Sequence, residues 1–333
     1  MAFSSKDVRV IKTTAKEKIA ALLLEDMKGE HAAIIQYLQH AYKIGEMGGE
    51  IPSEIEGIAR DEMRHFRWLG ELVVELGGNP NMQRDPIFLD GPSSKDLLAL
   101  DVEAEQRAIE QYRDHIALID HPKVKLYLNR ILMDELYHQG KFKDYIEELG
   151  GEQEKDFASE GVGPWNKNPN PPSKVLELNS AGQMIPANLE RENRDDHPLV
   201  KMLNSRVEME YETILLYLHQ AFVSRNPTQR DHLISDRAIW HMTHMGTLGE
   251  AVAERDNRPD MELDFSSAFL SKAPLDPDEF NNWAIGRELE LLEDTERLLA
   301  EVGDVDGGLS TDLKRLEGHN RFQIEQLKIQ KKY

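Results

Sequence analysis

The chain has 333 residues, 40% of them hydrophobic, a formal net charge of −21 and no cysteine. That length suggests about two domains of roughly 150 residues each, and the acidity argues against a nucleic-acid partner, because a phosphate backbone wants a basic face. The absence of thiols excludes disulfides, thiolate metal sites, iron–sulfur clusters and cysteine nucleophiles, so any metal must be held by His and carboxylates.

The expected elements are almost all helical. Helices are expected at about 14–45, 53–76, 94–119 and 122–149. Thr14 with Glu17, and Ser53 with Glu56, have the spacing of capping boxes, and Gly77-Gly78 and Gly150-Gly151 read as helix stops. The segment "GVGPWNKNPNPPSK" is rich in Pro, Asn and Gly and carries no periodic pattern, so 152–196 is expected to be a linker. Helices resume at about 198–222, 228–255, 277–302 and 310–331. The expected domains are therefore 1–151 and 197–333, joined by that linker. No apolar run approaches the ~20 residues of a membrane helix. The stretch "IAALLL" is too short, and too closely flanked by charge, for an export signal, so a cytoplasmic protein off the membrane is expected.

The first half repeats itself. "EHAAIIQY" in the first helix and "EQRAIEQY" in the third both fit Glu-x-x-Ala-Ile-x-x-Tyr. "DEMRH" in the second and "DELYH" in the fourth both fit Asp-Glu-x-x-His, each followed at the same distance by Gly-Gly. The second half repeats the plan more loosely. "EYETILLY" matches the first helix, and "HMTHMGTLGEAVAERDNRP" tracks "EMRHFRWLGELVVELGGNP" with Leu-Gly-Glu in register. Positions 30, 62, 105 and 135 of the first half thus answer to 210, 241, 288 and 317 of the second.

Residues three apart on a helix share a face, so Glu62 with His65, and Glu135 with His138, each present a carboxylate beside an imidazole. Glu30 and Glu105 lie in apolar surroundings, and an inward Glu is costly unless paired or bound to metal. Four inward Glu carry a charge of about −4, which two divalent ions balance; mixed carboxylate and imidazole ligation suits iron or manganese, with zinc an alternative.

A Glu from each of two helices, plus Glu-x-x-His from each of two others, resembles the ferritin-like di-iron carboxylate superfamily, and within it the bacterioferritin and rubrerythrin-type proteins. "EHAAIIQYLQHA" and "DEMRH" are most similar to bacterioferritin. The resemblance implies an all-α fold of two tandem ferritin-like four-helix bundles joined by a long irregular linker. It implies two Fe ions (Mn as alternative) held by Glu30, Glu62, His65, Glu105, Glu135 and His138, with Glu62 and Glu135 bridging. It also implies that Asp61 and Asp134 each support the His of the facing helix. Tyr37 and Tyr112 read either as core aromatics bonded to a carboxylate or as participants in redox chemistry. Met63 follows Glu62 as a haem-ligating Met does in bacterioferritin, and Met242 holds the matching place, so a haem between two halves is an idea to test against the reading that both are packing residues.

The second half offers Glu210, His241, His244, Glu288 and Glu317 as ligands of a second metal site, with Asn320 where a His would stand; the rival reading is a decayed site kept for packing. The activity expected is oxidation by O2 or H2O2 of ferroxidase or peroxidase type, with an unknown electron donor since no rubredoxin-like Cys module is present. The alternatives are iron storage, a di-manganese catalase, an oxidase of an organic substrate, and a non-catalytic metal-dependent structural or sensor protein. Because the chain stops at Tyr333 after the eighth helix, a homodimer is expected rather than a cage.

Overall fold

The protein is described here by a computed structural model, which describes residues 13–45, 49–149, 176–178, 184–186, 197–224, 226–255, 257–266, 268–303 and 306–330. The first half consists of α1 (Lys16–Ile44), α2 (Ile51–Glu75), α3 (Ser94–Leu118) and α4 (Pro122–Glu148). The second consists of α5 (Pro198–Val223), α6 (Pro227–Leu233), a π-helical turn (Ile234–Ala238), α7 (Ile239–Ala253), a 3-10 turn (Phe269–Lys272), α8 (Pro277–Val302) and α9 (Gly307–Gln330). The chain is all-α in architecture, with two tandem four-helix bundles. The expected linker, 152–196, lies outside the described residues apart from one small antiparallel pair, β1 (Leu176–Leu178) with β2 (Met184–Pro186), in which Glu177 faces Ile185.

Local chemistry sets the helix ends. Pro52, Pro122, Pro198, Pro227 and Pro277 sit in first turns, where a missing N–H costs nothing. Ser93, Asn226 and Asp276 cap their helices by accepting backbone N–H groups. Gly77 ends α2 with φ at 87°, a left-handed conformation that glycine adopts without strain, while the Gly78 N–H reaches back to the Val73 carbonyl. The two capping boxes expected from the sequence do not form. Ala15, not Thr14, caps α1, and α2 begins at Ile51, which puts Ser53 inside the helix. The expected helix 228–255 is interrupted by the π turn, a one-residue insertion of the kind that re-aims side chains.

A long crossover, 77–92, joins the α1–α2 hairpin to the α3–α4 hairpin and lies along α1. His31 Nδ1 faces the Gln83 carbonyl at 3.2 Å, and Gln36 Oε1 accepts the Phe88 N–H at 2.9 Å. The two halves pack through α1, α2, α5 and α7. Here the recurring Leu-Gly-Glu finds its reason: a Cβ on Gly70 would stand 2.8 Å from the Phe222 ring, and one on Gly249 would stand 2.9 Å from Tyr42. Each half inserts one aromatic ring against a glycine of the other, so the glycines permit the close approach. Between the halves, Tyr211 and His31 hydrogen-bond at 2.5 Å, and burial holds the His31 imidazole down to about 3, hence neutral.

Candidate metal centre

The core of the first bundle is not wholly apolar. Glu30 on α1, Glu62 and His65 on α2, Glu105 on α3, and Glu135 and His138 on α4 converge there, none more than 3% exposed. They form two four-residue groups: Glu30, Glu62, His65 and Glu135, and Glu62, Glu105, Glu135 and His138; within each, one ligand atom per residue lies within 4.8 Å of all the others. Glu62 and Glu135 belong to both groups, the place of bridging carboxylates. His65 Nδ1 lies 2.8 Å from Glu62 and 3.0 Å from Glu135, and His138 Nδ1 lies 2.9 Å from Glu62.

Supporting groups orient the set. His65 Nε2 faces Asp134 at 3.3 Å, and His138 Nε2 faces Asp61 at 3.4 Å, so each imidazole turns Nδ1 inward. Tyr37 donates to Glu105 Oε1 at 2.7 Å, and Tyr112 donates to Glu30 Oε1. One oxygen of each of these two carboxylates is thereby pinned, while Glu30 Oε2, 3.4 Å from His65 Nδ1, and Glu105 Oε2 make no hydrogen bond. Glu62 Oε1 with His138 Nδ1, 2.9 Å apart, and Glu135 Oε1, 3.0 Å from His65 Nδ1, are buried and close but lack hydrogen-bond geometry. Buried acceptors left open in this way are what a cation would satisfy.

The electrostatics agree. Burial, then the charge of Glu62, pushes Glu30 up to about 8, and the same causes push Glu135 to about 8. Burial, then the Glu135 charge, holds Glu105 well above the carboxylate range. Burial opposes the charged form of His138, yet the Glu62 carboxylate overcomes it and raises the imidazole to about 9. Without a cation, protons must neutralise this cluster; four carboxylates and two imidazoles fit two divalent ions.

The second bundle is different at the same place. Arg206, fully buried, donates Nε and Nη2 to Glu210 Oε1 at 3.1 and 2.7 Å. Its Nη2 also reaches Asn320 Oδ1 at 3.3 Å, and its Nη1 bonds the Leu291 carbonyl. His241 bridges Glu210 at 2.5 Å and Glu288 at 3.0 Å, and Asn320 donates to Glu288 at 2.9 Å. The carboxylates hold His241 at about 9, so two cations face two carboxylates. Glu210, His241 and His244 do come together, but Glu317 does not join them. Its carboxylate pairs with Arg321 at 2.8 Å on the outer side of α9, because Leu316 and Asn320 take the inward face. Arg206 was missed by the sequence reading; the signal was an arginine inside the apolar face of "MLNSRVEMEYETILLYL".

Met63 and Met242 both line a cavity of about 560 Å³ between the halves, with Arg60, Arg64 and Arg67 on the same wall.

Residues 20–152 match the ferritin-like domain model. The bacterioferritin of Streptomyces coelicolor is 30% identical over 142 residues, which cover 40% of this chain and 84% of that protein. The chain belongs to the ferritin-like family. The bacterioferritin of Desulfovibrio desulfuricans is 29% identical over 143 residues, covering 40% of this chain and 79% of the relative. A solved structure of the D. desulfuricans bacterioferritin aligns at 26% identity over 40% of this chain and 81% of that one, with a TM-score of 0.38. The ferritin-like match spans the first bundle. Among the described residues, no helix of this ferritin-like protein is long and apolar enough to cross a membrane.

Proposed function

We propose that the first ferritin-like bundle holds two iron ions and reacts with O2 or H2O2 as a ferroxidase or peroxidase. The observation that carries this is the pair of four-residue groups sharing Glu62 and Glu135, each with buried carboxylate oxygens that make no hydrogen bond. Two irons bound there would supply one-electron changes at each ion and an open face for the oxidant. Glu62 and Glu135, common to both groups, would be shared by the two ions. Glu30 and Glu105 would each serve one ion, held in place by Tyr112 and Tyr37. Those phenols are buried beside carboxylates, which hold their protons on the oxygen and keep them hydrogen-bond donors. His65 and His138 complete the two sets, held by Asp134 and Asp61. The second bundle works without metal, since Arg206 and His241 neutralise Glu210 and Glu288.

The test is metal content after loading with Fe(II), followed by rapid mixing with O2 and with H2O2. About two irons per chain, oxidised within seconds by one of the two, is the expected result. No oxidation by either would leave a structural or sensor role, and fast dismutation of H2O2 by the Mn-loaded form alone would point to a catalase. Iron storage is the rival reading that the likeness to bacterioferritins supports equally; a particle of many chains carrying a mineral core would establish it over ours.

A second reading rests on the inter-half cavity lined by both Met63 and Met242. A haem held there by two thioethers would give a Soret band that disappears in Met63→Leu. Absence of the band after reconstitution with haemin rejects it.

A further inference from the structure

The first bundle carries a longer repeat than its ligands require. Asp26, Glu30, Gln36, Tyr37 and His40 on α1 recur at identical spacing as Asp101, Glu105, Gln111, Tyr112 and His115 on α3. Each Asp is pinned by the opposite helix. Asp26 Oδ1 accepts from Gln111 at 2.9 Å and faces His115 Nδ1 at 2.8 Å. Asp101 Oδ1 accepts from Gln36 at 2.9 Å and faces His40 Nδ1 at 2.8 Å. In both, Oδ2 is buried and has no hydrogen-bond partner. That is the same arrangement as in Glu30 and Glu105, where one oxygen is held and the other is open.

The two Asp residues differ in what they face. A cavity of about 290 Å³ lies between α1 and α3, and Asp26, Glu30 and Glu135 line it while Asp101 does not. The crossover segment breaks the symmetry: the Phe88 carbonyl lies 3.0 Å from His40 Nε2, closing the Asp101 end. Small residues of α1 and α3, among them Ala33 and Ala108, leave room in the wall, and Asp85 and Arg107 also line it. Gly29 also lines it, and a Cβ there would meet nothing within 4 Å. Four carboxyl groups and one guanidinium line the cavity, so a cation entering it meets oxygen ligands along the wall and can displace their protons. Asp26 is 2% exposed, four residues before Glu30 on the same face of α1. In the second bundle the residue four before Glu210 is Arg206, whose cationic side chain sits against that carboxylate.

We propose that this cavity is the way in for the divalent cations of the dinuclear centre. Asp26 and Glu30 form a transit site within it, which hands each ion from the cavity to the ligand set. Two protein carboxylates leave the rest of the ion's coordination to water, which suits an ion that must move on. Asp101, equally buried and pinned but outside this cavity, is the internal control.

This rests on the dinuclear reading above, and the experiment separates the two. The metal-free full chain is mixed with Co(II) in a stopped-flow instrument, the absorbance of the bound ion is followed, and final metal content is measured. Asp26→Asn should load about tenfold more slowly than the wild type, and still reach two ions per chain. Asp101→Asn should load at the wild-type rate. Gly29→Leu fills the cavity without altering a carboxylate and should also load slowly; it carries the test if Asp26→Asn does not fold. Loading of Gly29→Leu at the wild-type rate overturns the path. Wild-type loading of folded Asp26→Asn, or equal slowing in Asp101→Asn, overturns the transit site. A wild-type chain that binds other than two Co(II) counts against the dinuclear reading itself.

Discussion

Arg206 donates two hydrogen bonds to Glu210, one turn along α5, and both side chains are completely buried. In the first bundle the corresponding residues are Asp26 and Glu30. The charge reversal changes what the bundle core needs: one half is left with open carboxylate oxygens, and the other is neutral from its own side chains. Breaking a buried pair by removing one partner costs about 3–5 kcal/mol, because the remaining charge is uncompensated. Arg206→Met should therefore lower stability by about that amount in urea unfolding. Adding Glu210→Gln to it should recover much of the loss. Equal stability of Arg206→Met and the wild type would mean that Glu210 is already protonated.

Tyr112 and Tyr37 hold the terminal carboxylates. In Tyr112→Phe the Glu30 carboxylate loses the phenol that pins Oε1, so the ligand is less well aimed. Loss of such an orienting bond costs about 10–100-fold in metal affinity. Chelator competition with Co(II) should show that loss for Tyr112→Phe and a similar one for Tyr37→Phe. Unchanged affinity in both would reduce the tyrosines to packing residues.

Metal removal should make stability pH-dependent in a defined direction. Glu30 and Glu135 stand at about 8 in the folded metal-free chain, above their ordinary 4.5, so the folded state holds extra protons across that window. Stability then falls as pH rises through it. His138, at about 9 against an ordinary 6.5, loses its contribution as pH rises from there to its folded value. Glu62 and Asp134, held low, lose theirs only in acid. The melting temperature of the chelator-treated protein should thus drop steadily between about pH 5 and pH 9. Divalent metal should flatten or reverse the trend, because it replaces the protons. A metal-free melting temperature that rises over this range would contradict the assignment.

The halves meet through Gly70 against Phe222 and Gly249 against Tyr42. A leucine at either glycine must displace a ring at the interface, and overpacking of this kind costs about 1–3 kcal/mol. Gly249→Leu should lower the melting temperature and speed proteolysis around the interface, with metal content unchanged. Wild-type proteolysis would show that the halves do not depend on this contact.

Several elements were legible in the order of residues alone. Two Asp-Glu-x-x-His segments and two Glu-x-x-Ala-Ile-x-x-Tyr segments place carboxylates and imidazoles on inward faces, because helical periodicity is local and short-ranged. For that reason Glu30, Glu62, His65, Glu105, Glu135 and His138 could be named before any coordinates, and the helix-breaking Gly77 marked where α2 ends. The capping boxes failed for a comparable reason in reverse: a cap depends on where the chain enters the helix, and packing moved that point.

What only the tertiary structure decided concerns which side chain meets which across helices. Arg206 has a long side chain with many rotamers, and nothing local says whether it reaches solvent or Glu210; its burial follows from the facing Leu291 carbonyl and Asn320. Glu317 sits in the aligned position, yet Leu316 and Asn320 occupy the inward face of α9 and Glu317 pairs with Arg321 instead. Asp26 and Asp101 are indistinguishable in the sequence, repeat for repeat. The crossover packs Phe88 against His40 at the Asp101 end, and of the two Asp residues only Asp26 lines the cavity between α1 and α3. Periodicity encodes the face of a helix; the contacts between helices, and the space left among them, exist only once the chain is packed.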